Sequence, residues 1–459
     1  MKATTPRYAI GIDLGTTSIS ATVLDLCSCE IAEVVTVPAN AALPQSTGAV
    51  REQDAEAILR TAHSLLDHLI GLYDGGCTAI GLTGQMHGIV SLSETGVPLS
   101  PLATWQDGRA EVGSPSPSER IAALTGYDVP PGYGLATFYA DLLDGRIPQG
   151  TAKIATIADC FGMRLTGRVS PLVHTGNAAS LGLFDLASMR FDAEAVGKLG
   201  IPASVLPETT GRAALIGEYR GIPVSVAIGD NQAAFLGSVS DPTKQALANF
   251  GTGSQISLAV DPARIGEKPA SRSVEIRPLT ENLVLLSGSA LCGGRAWAMF
   301  ERFFREYLSA TEPDAPAQYE TMGRLAAQAF EKGAMLDVST AFSGTRDDPG
   351  LRGGIHGIGE DNFTPGALLA GVLRGMALEL FAMYETMPRE GIGTLVLSGN
   401  AARMNPTLQK MTGEVFGLEI VIPACREEAA LGAALWALRA AGMDTTCKGK
   451  FIRYGKAGE

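Results

Sequence analysis

The 459-residue sequence has no surplus of positive charge. Its 36 lysines and arginines stand against 48 aspartates and glutamates, which gives a formal net charge of −12 at pH 7. Nucleic-acid backbones require a basic protein surface, so we do not expect a nucleic-acid partner. A phosphorylated small molecule can still bind, because a metal ion and a few backbone amides suffice to hold it.

The sequence also lacks features of an exported or membrane-spanning chain. Residues 1–7 lead into an apolar strand without a signal-type hydrophobic region. The apolar stretch 366–387 is interrupted by Arg374, Glu379 and Glu385, which favours a core helix over a membrane span. We therefore expect a cytoplasmic protein with no membrane partner.

Cysteine is scarce, and two common nucleotide-binding motifs are missing. The seven cysteines include no Cys-x-x-Cys pair, which predicts reduced, buried thiols instead of a metal site. The sequence contains neither Gly-x-x-x-x-Gly-Lys-Ser/Thr nor His-Arg-Asp, which argues against P-loop enzymes and protein kinases. Any kinase activity must therefore use another fold.

The chain is longer than one hydrophobic core usually spans, so at least two domains are expected. Residues 8–25 and 246–261 each read as two apolar strands joined by a short Gly-Thr turn, which indicates a duplicated hairpin. Between the hairpins, apolar strands alternate with helical patterns, which indicates an α/β fold. With a linker near residues 237–245, the predicted domains are 1–240 and 241–459.

The two hairpin turns have the composition of a phosphate site. Residues 13–18 offer a carboxylate, a glycine and three hydroxyls, and residues 250–254 repeat the Gly-Thr pattern. A single such turn is as well explained as a surface β-turn. Two that face one another can grip a phosphate chain from both sides, so we predict phosphate binding.

Asp230 follows an apolar strand and precedes a predicted helix, where open α/β sheets present ligand-binding groups. Its carboxylate is suited to take the proton from an attacking hydroxyl held in line with a γ-phosphate. An aspartate fits the N-cap of that helix equally well. Both interpretations remain open from the residues alone.

Polar clusters elsewhere resemble parts of a polyol site. They are Gln85-Met86-His87, Trp105-Gln106-Asp107-Gly108-Arg109, and the segment 174–180 with Asn177. The structural alternatives are a core histidine, a Trp-anchored turn with an Asp–Arg surface pair, and a polar turn. Small residues at 397–405 suit a flat adenine lying against backbone, or an ordinary strand-to-helix turn.

Taken in order, these motifs resemble the FGGY carbohydrate kinases over nearly the whole chain. The segments that carry the resemblance are 13–17, 85–88, 229–232, 250–254, 399–400 and 427–434. The resemblance implies two actin-like, RNase H-like ATPase domains with a central cleft. It also implies that the N-terminal half holds the sugar and that the C-terminal half holds most of the ATP.

The resemblance further implies roles for single residues. Asp13 would organise Mg²⁺ and Asp230 would be the catalytic base. The residues implied to line the nucleotide are Thr16, Thr17, Ser18, Gly251, Thr252, Gly253, Gly294, Gly399 and Asn400. The residues expected to contact the sugar are Gln85, Met86, His87, Trp105, Asp107, Arg109, Asn177 and Asp230.

Within the family, residues 85–88 resemble xylulokinases, whereas 104–109, 174–180 and 291–295 resemble sedoheptulokinases. This ranks sedoheptulose first as the ketose phosphorylated on a primary hydroxyl, giving sedoheptulose 7-phosphate, with xylulose or another sugar of the family second. Residues 133–139 depart from a lysine- and tryptophan-containing helix of many relatives, so no contacts are carried over there. The rival from another class is an actin-like ATPase without a sugar substrate. We expect a monomer or homodimer.

Overall fold

The computed structural model describes residues 7–43, 48–73, 75–265, 273–443 and 448–456, and it divides the chain into two compact units. The first unit extends to Gly237 and also contains Arg277–Asn282 and Glu427–Ile452. The second contains Ser238–Ile276, Leu283–Arg426 and the chain from Arg453 onward. The boundary between the two units at Gly237 and Ser238 coincides with the start of the predicted linker, residues 237–245. Two segments from the second half of the sequence return to the first unit, which the continuous ranges 1–240 and 241–459 do not include.

The first unit is built on a seven-stranded sheet. Strands Tyr8–Leu14, Ser18–Asp25 and Glu30–Pro38 form an antiparallel meander. On the other side of Tyr8–Leu14, Cys77–Gly84 runs parallel to it. The remaining strands are Ile222–Ser225, Leu215–Tyr219 and the short Ile228–Gly229.

The second unit repeats this arrangement. Its hairpin consists of Gln245–Phe250 and Ser254–Val260, and Val284–Ala290 continues it antiparallel. Thr394–Ser398 lies parallel to Gln245–Phe250 on the other side. Three further strands complete seven: Val274–Pro278, Glu419–Pro423 and Tyr454–Lys456. The α/β prediction with two related domains, each opened by a hairpin, is confirmed.

Helices cover these sheets. In the first unit they are Ala55–Leu72, Pro117–Thr125, Gly134–Leu143, Ile157–Thr166, Thr175–Ser180, Ala193–Lys198, Glu428–Ala440, Lys448–Phe451 and Asp230–Ser238, whose last residue falls in the second unit. In the second unit they are Gly294–Ser309, Tyr319–Glu331, Pro365–Glu385, Asn400–Met404 and Pro406–Phe416. Short 3₁₀ turns occur at Arg109–Glu111, Ala203–Val205 and Pro262–Arg264.

Short strand pairs connect the larger elements. They are Glu52–Gln53 with Leu102–Ala103, Val90–Leu92 with Lys153–Ala155, Leu172–His174 with Glu208–Thr210, Phe184–Asp185 with Arg190–Phe191, and Asp337–Ser339 with Gly354–His356.

Helix Pro365–Glu385 is the one helix in the described ranges that is long and apolar enough to cross a membrane. Of the most apolar 18-residue stretch of this helix, 67% is buried inside the protein. It packs against helices Tyr319–Glu331 and Pro406–Phe416 of its own unit. This packing is what the predicted core helix requires.

The returning helix Glu428–Ala440 packs unusually close to the first sheet. A Cβ added to Gly81 would lie 1.9 Å from the carbonyl oxygen of Ala433, and one added to Gly432 would lie 1.8 Å from that of Ala233. Only residues without a side chain permit these backbone approaches. The small residues of the 427–434 motif therefore serve helix packing, and the helix N-terminus carries Glu427.

The cysteine prediction is only partly right. Cys29 is disulfide-bonded and Cys27 is exposed, so the expectation of reduced, buried thiols is wrong at these positions. Cys447 lies outside the described residues. The buried thiols are Cys160, Cys292 and Cys425.

Candidate functional site

The carboxyl ends of parallel strands in the first unit bring the two predicted acids to one edge of the sheet. Asp13, near the end of its strand, is in register with Thr83. Ile228 pairs with Thr83 as well, and Asp230 is the first residue of the helix that follows. This edge is where open α/β sheets bind ligands.

Asp13 has the properties of a cation ligand. Its Oδ1 atom is buried and has no hydrogen-bond partner among the described residues. Burial, together with the negative charges of Asp230 and Glu427, raises the pKa of Asp13 to about 8. A bound cation would offset this concentration of negative charge.

The residues around Asp13 fit a magnesium ion that is held jointly with phosphates. Within the described part of the chain, no group of three or more His, Cys, Asp or Glu side chains could hold a metal alone. Mg²⁺ is commonly bound by one or two carboxylates together with substrate phosphates and water. Asp13, with Glu427 close enough to act on it electrostatically, meets that requirement.

Asp230 is half-buried, and one of its two carboxylate oxygens is held by hydrogen bonds. Its Oδ1 accepts hydrogen bonds from the backbone N of Asn231 at 2.7 Å and from Asn231 Nδ2 at 3.0 Å. Burial raises the pKa of Asp230 to about 6, against the lowering effect of Arg277 and of the Asn231 amide. A carboxylate with a pKa near the working pH is suited to accept a proton.

Several buried side-chain amide oxygens of the first unit have no hydrogen-bond partner among the described residues. Gln85 Nε2 donates to Gln53 Oε1 at 3.0 Å, and Asn177 Nδ2 donates to the carbonyl oxygen of Ala227 at 3.4 Å. Gln85 Oε1, Asn177 Oδ1 and Gln232 Oε1 have no hydrogen-bond partner in the described ranges. Since buried polar atoms are nearly always satisfied, these acceptors are candidates for bonds to ligand hydroxyls or water.

His87 is held in a defined orientation. Its backbone has φ +70°, a left-handed conformation that non-glycine residues rarely adopt. Its Nδ1 donates to the carbonyl oxygen of Ser180 at 2.9 Å, which places the proton of a neutral ring on Nδ1 and leaves Nε2 as an acceptor. The ring stacks on Tyr133 with centroids 4.3 Å apart. Met86 lies alongside, its sulfur 3.6 Å from Asn231 Nδ2.

The loop 104–109 divides into an exposed ring and a buried ion pair. Trp105 is 48% exposed, and its Nε1 donates to Thr16 Oγ1 at 3.1 Å. Arg109 is buried, and its five N–H groups are directed to Asp107, Asp141 and Glu52. Arg109 and the fully buried Asp107 are thus engaged in holding the loop together, and Trp105 is the exposed member of the loop.

A cavity of about 1240 Å³ lies in the second unit. Four of the residues expected to line the nucleotide contribute to its wall: Gly251, Thr252, Gly294 and Asn400. The rest of the wall includes aromatic, charged and aliphatic side chains, among them Trp297, Tyr319, Phe330, Arg295, Arg324, Lys410, Glu320, Glu331, Leu373 and Met376. Apolar walls with a few polar groups are typical of a small-molecule site.

The hairpin turn of the second unit is fixed at one end of this cavity. Gly294 N donates to the carbonyl oxygen of Gly251 at 2.8 Å, so the turn contacts the start of helix Gly294–Ser309. A Cβ on Gly399 would lie 2.6 Å from the Phe250 carbonyl oxygen, and one on Gly253 would lie 2.9 Å from that of Ala290. Gly399 and Gly253 therefore serve backbone packing, and neither is among the residues that line the cavity. The corresponding turn of the first unit contains the exposed Thr17 between Thr16 and Ser18.

Sequence reasoning missed four residues that the first unit places near its predicted site. Tyr133 stacks on His87, Gln53 links Gln85 to the carbonyl oxygen of Thr16, and Glu427 and Arg277 act on the two acids. Gln53 lies outside the quoted motifs, Tyr133 begins the segment 133–139 for which no contacts were carried over, and Arg277 lies far along the chain. Glu427 lies in a quoted motif, but its place beside Asp13 depends on the return of its helix to the first unit.

Comparison with known proteins decides the family. The profile of the FGGY family of carbohydrate kinases, N-terminal domain, matches residues 8–237, and that of the C-terminal domain matches residues 246–441. The chain belongs to the FGGY family of carbohydrate kinases. It is therefore a phosphotransferase of the class that uses ATP.

Individual members of the FGGY family resemble the chain at modest identity. Sedoheptulokinase of Mus musculus is 26% identical, covering 93% of this chain and 96% of its own length. Glycerol kinase of Geobacter sp. (strain M21) is 29% identical, with coverage of 96% and 92%. The structures of xylulose kinase from Rhodospirillum rubrum (TM-score 0.83, 22% identity) and of Plasmodium falciparum glycerol kinase with ADP (TM-score 0.79, 19% identity) each cover 98% of this chain and 93% of their own. At these identities the structures show the same fold.

Proposed function

We propose that this FGGY kinase transfers the γ-phosphate of ATP to a primary hydroxyl of a ketose, with sedoheptulose as the preferred acceptor. The observation that carries the proposal is the set of buried groups at one sheet edge of the first unit. They are two carboxyls, Asp13 and Asp230, and amide oxygens that have no hydrogen-bond partner among the described residues. The likeness to sedoheptulokinase over nearly the whole chain supports the choice of acceptor.

In this mechanism the acceptor hydroxyl donates its hydrogen bond to Asp230. As the hydroxyl oxygen bonds to the γ-phosphorus, its proton passes to the Asp230 carboxylate and the bond to the ADP oxygen breaks. Asn231 holds the other carboxylate oxygen through two hydrogen bonds, so the accepting oxygen has a fixed direction. Most of the rate enhancement comes from positioning and electrostatics, because phosphoryl transfer needs little covalent help.

Asp13 holds the magnesium ion in this proposal, and Glu427 adds negative charge beside it. When bound with ATP, the ion neutralises charge on the phosphates. Thr16, Thr17 and Ser18 supply hydroxyl and backbone donors from the turn that follows Asp13. Removing the Asp13 carboxylate should therefore weaken metal-dependent turnover more than acceptor binding.

The acceptor contacts that we propose are His87 Nε2, the amide oxygens of Gln85 and Asn177, the Met86 side chain and the exposed face of Trp105. Asp107 and Arg109 keep the Trp105 loop in place through their buried ion pair. The nucleotide lies in the cavity of the second unit, against Gly251, Thr252, Gly294 and Asn400. Gly253 and Gly399 serve backbone packing and do not line that cavity.

The test is ADP release coupled to a spectroscopic readout, with ATP and Mg²⁺, across sedoheptulose, D-xylulose, D-ribulose, L-ribulose, gluconate and glycerol, together with a control without sugar. A strong signal with sedoheptulose supports the proposal. Preference for xylulose would keep the mechanism and refute the acceptor. ADP release that is indifferent to sugar would refute the kinase mechanism in favour of an ATPase.

A further inference from the structure

Arg277 is a buried arginine in the first unit although it comes from the second half of the sequence. It is 6% exposed and begins the returning segment Arg277–Asn282. Taking a guanidinium out of water is costly unless opposite charge or acceptors surround it. A buried arginine at this place therefore requires a structural or functional reason.

The returning segment is attached to the helix that carries Asp230. Gln232 Nε2 donates to the carbonyl oxygen of Pro278 at 3.2 Å, and a Cβ added to Gly176 would lie 2.8 Å from the same oxygen. Pro278 follows Arg277 directly, and Gln232 is two residues beyond Asp230. The segment is thereby packed between the helix of the proposed base and the helix that carries Asn177.

The guanidinium of Arg277 lies within electrostatic range of two groups of the proposed acceptor site. One is the carboxylate of Asp230, and the other is the hydroxyl of Tyr133. Tyr133 in turn stacks on His87 with ring centroids 4.3 Å apart. Arg277 thus lies near both the proposed base and the aromatic pair expected to contact the sugar.

We propose that Arg277 is a positioning residue of the acceptor site, which orients the Asp230 carboxylate and the Tyr133–His87 pair so that the acceptor hydroxyl meets the base. The inference rests on the proposed function. A planar guanidinium has five donors in fixed directions and can hold a carboxylate and a phenol oxygen at once, whereas an ammonium group acts as a point charge. Lysine at this position should therefore restore charge without restoring geometry.

The test compares Arg277→Met and Arg277→Lys with Arg439→Met in steady-state kinetics. Arg439 pairs with Glu281 of the same segment at 2.7 Å on the exposed side, so its removal perturbs the segment without touching the site. We expect Arg277→Met to lower kcat on the order of 100-fold, as loss of one preorganised donor does. The KM for ATP should stay unchanged, Arg277→Lys should recover only part of the loss, and Arg439→Met should behave as wild type.

A second readout separates positioning from folding. Arg277→Ala is assayed with added guanidinium at concentrations well below those that unfold the protein, with thermal unfolding measured in parallel. Partial recovery of kcat supports the inference. A variant that keeps wild-type kcat, or that loses activity only through lowered stability without rescue, overturns it. Absence of sugar-dependent turnover in wild type would instead refute the proposed function.

Discussion

Asp230 and Asp13 are both acidic side chains at one sheet edge, but their surroundings give them different chemistry. The Asp230 carboxylate accepts a hydrogen bond from the backbone N of Asn231 and lies near Arg277, and the pKa of Asp230 is raised to about 6. The Oδ1 atom of Asp13 has no hydrogen-bond partner in the part of the chain that the structure describes, and the pKa of Asp13 is raised to about 8. The first suits a proton acceptor near neutral pH, and the second suits a cation ligand.

Replacing Asp230 by asparagine removes the proposed proton acceptor at almost constant shape. We expect kcat to fall roughly a hundredfold to ten-thousandfold, as is typical for loss of a general base. The matched control is Asp144→Asn, which changes an exposed aspartate of the same unit that pairs with Arg146. Near-normal turnover of Asp230→Asn in the ADP-release assay would remove Asp230 from the mechanism.

The raised pKa of Asp13 predicts how stability depends on pH in the metal-free protein. The folded state holds this proton more tightly than the unfolded state, whose aspartate has its ordinary pKa of 3.8. The free energy of unfolding should therefore fall as pH rises from about 4 to about 8, by at most about 1.4 kcal/mol per pH unit for one group. Above pH 8 this contribution is constant.

Between pH 7 and 8, the change in the free energy of unfolding reports mainly on the Asp13 carboxyl. The pKa of Asp159 is raised to about 7 and that of Asp230 to about 6, so their contributions act mainly at lower pH. Denaturant unfolding in EDTA should show the fall for wild type and for Asp159→Asn, and a flatter dependence for Asp13→Asn. Equal slopes for wild type and Asp13→Asn would contradict the assignment.

At the scale of single residues, sequence patterns predicted which side chains carry reactive groups better than they predicted the burial and the partners of those side chains. The position of Asp230 after a strand followed from the apolar run before it. The burial of Asp107 and Arg109 did not, because their partners Glu52 and Asp141 are far from them in the sequence. Tyr133 was likewise missed, since only folding brings it onto the His87 ring.

At the scale of elements, hairpins were the most predictable features. Residues 8–25 and 246–261 each consist of two apolar runs joined by a short Gly-Thr turn, so local sequence suffices to specify them. Helix Glu428–Ala440 was different. Its apolar, small-residue face suits a buried helix, but nothing local says that it packs on strands Tyr8–Leu14 and Cys77–Gly84, which lie more than 340 residues earlier in the chain.

The close packing of that helix predicts which glycines are essential. Gly81→Ala places a Cβ 1.9 Å from the Ala433 carbonyl oxygen, and only backbone movement can relieve the clash. We expect a loss of about 1–3 kcal/mol or more in the free energy of unfolding, as for other overpacked cores. Urea denaturation followed by circular dichroism measures it.

The control is Gly71→Ala in helix Ala55–Leu72. Its Cβ would meet no atom within 4 Å, so the substitution only replaces a poor helix former with a good one. We expect an unchanged or slightly raised midpoint. If Gly81→Ala were as stable as Gly71→Ala, the helix would not pack as the structure has it.

At the scale of the whole molecule, each unit carries a different kind of site. The first unit has the acids, the amide oxygens and His87, and the second has the large cavity lined by aromatic, charged and aliphatic side chains. This division suits a kinase that must bind two unlike substrates. It leads us to assign the acceptor to the first unit and the nucleotide to the second.

The assignment predicts that filling the cavity affects one substrate only. Gly323 lies on helix Tyr319–Glu331 and faces the cavity, and a Cβ there would meet no atom within 4 Å. Gly323→Leu should therefore occupy cavity volume without a clash and raise the KM for ATP and the Kd for ADP about tenfold or more, which corresponds to about 1.4 kcal/mol. The KM for the sugar should not change.

Two comparisons make this test specific. Gly197→Leu makes the same exchange in a first-unit helix where the Cβ also meets no atom within 4 Å, and it should leave both KM values unchanged. Asn177→Ala, in the first unit, should raise the KM for the sugar while ADP binding by calorimetry stays the same. If Gly323→Leu raised the sugar KM and left ADP binding intact, the assignment of substrates to the two units would have to be reversed, because a side chain placed in the cavity would then be competing with the acceptor.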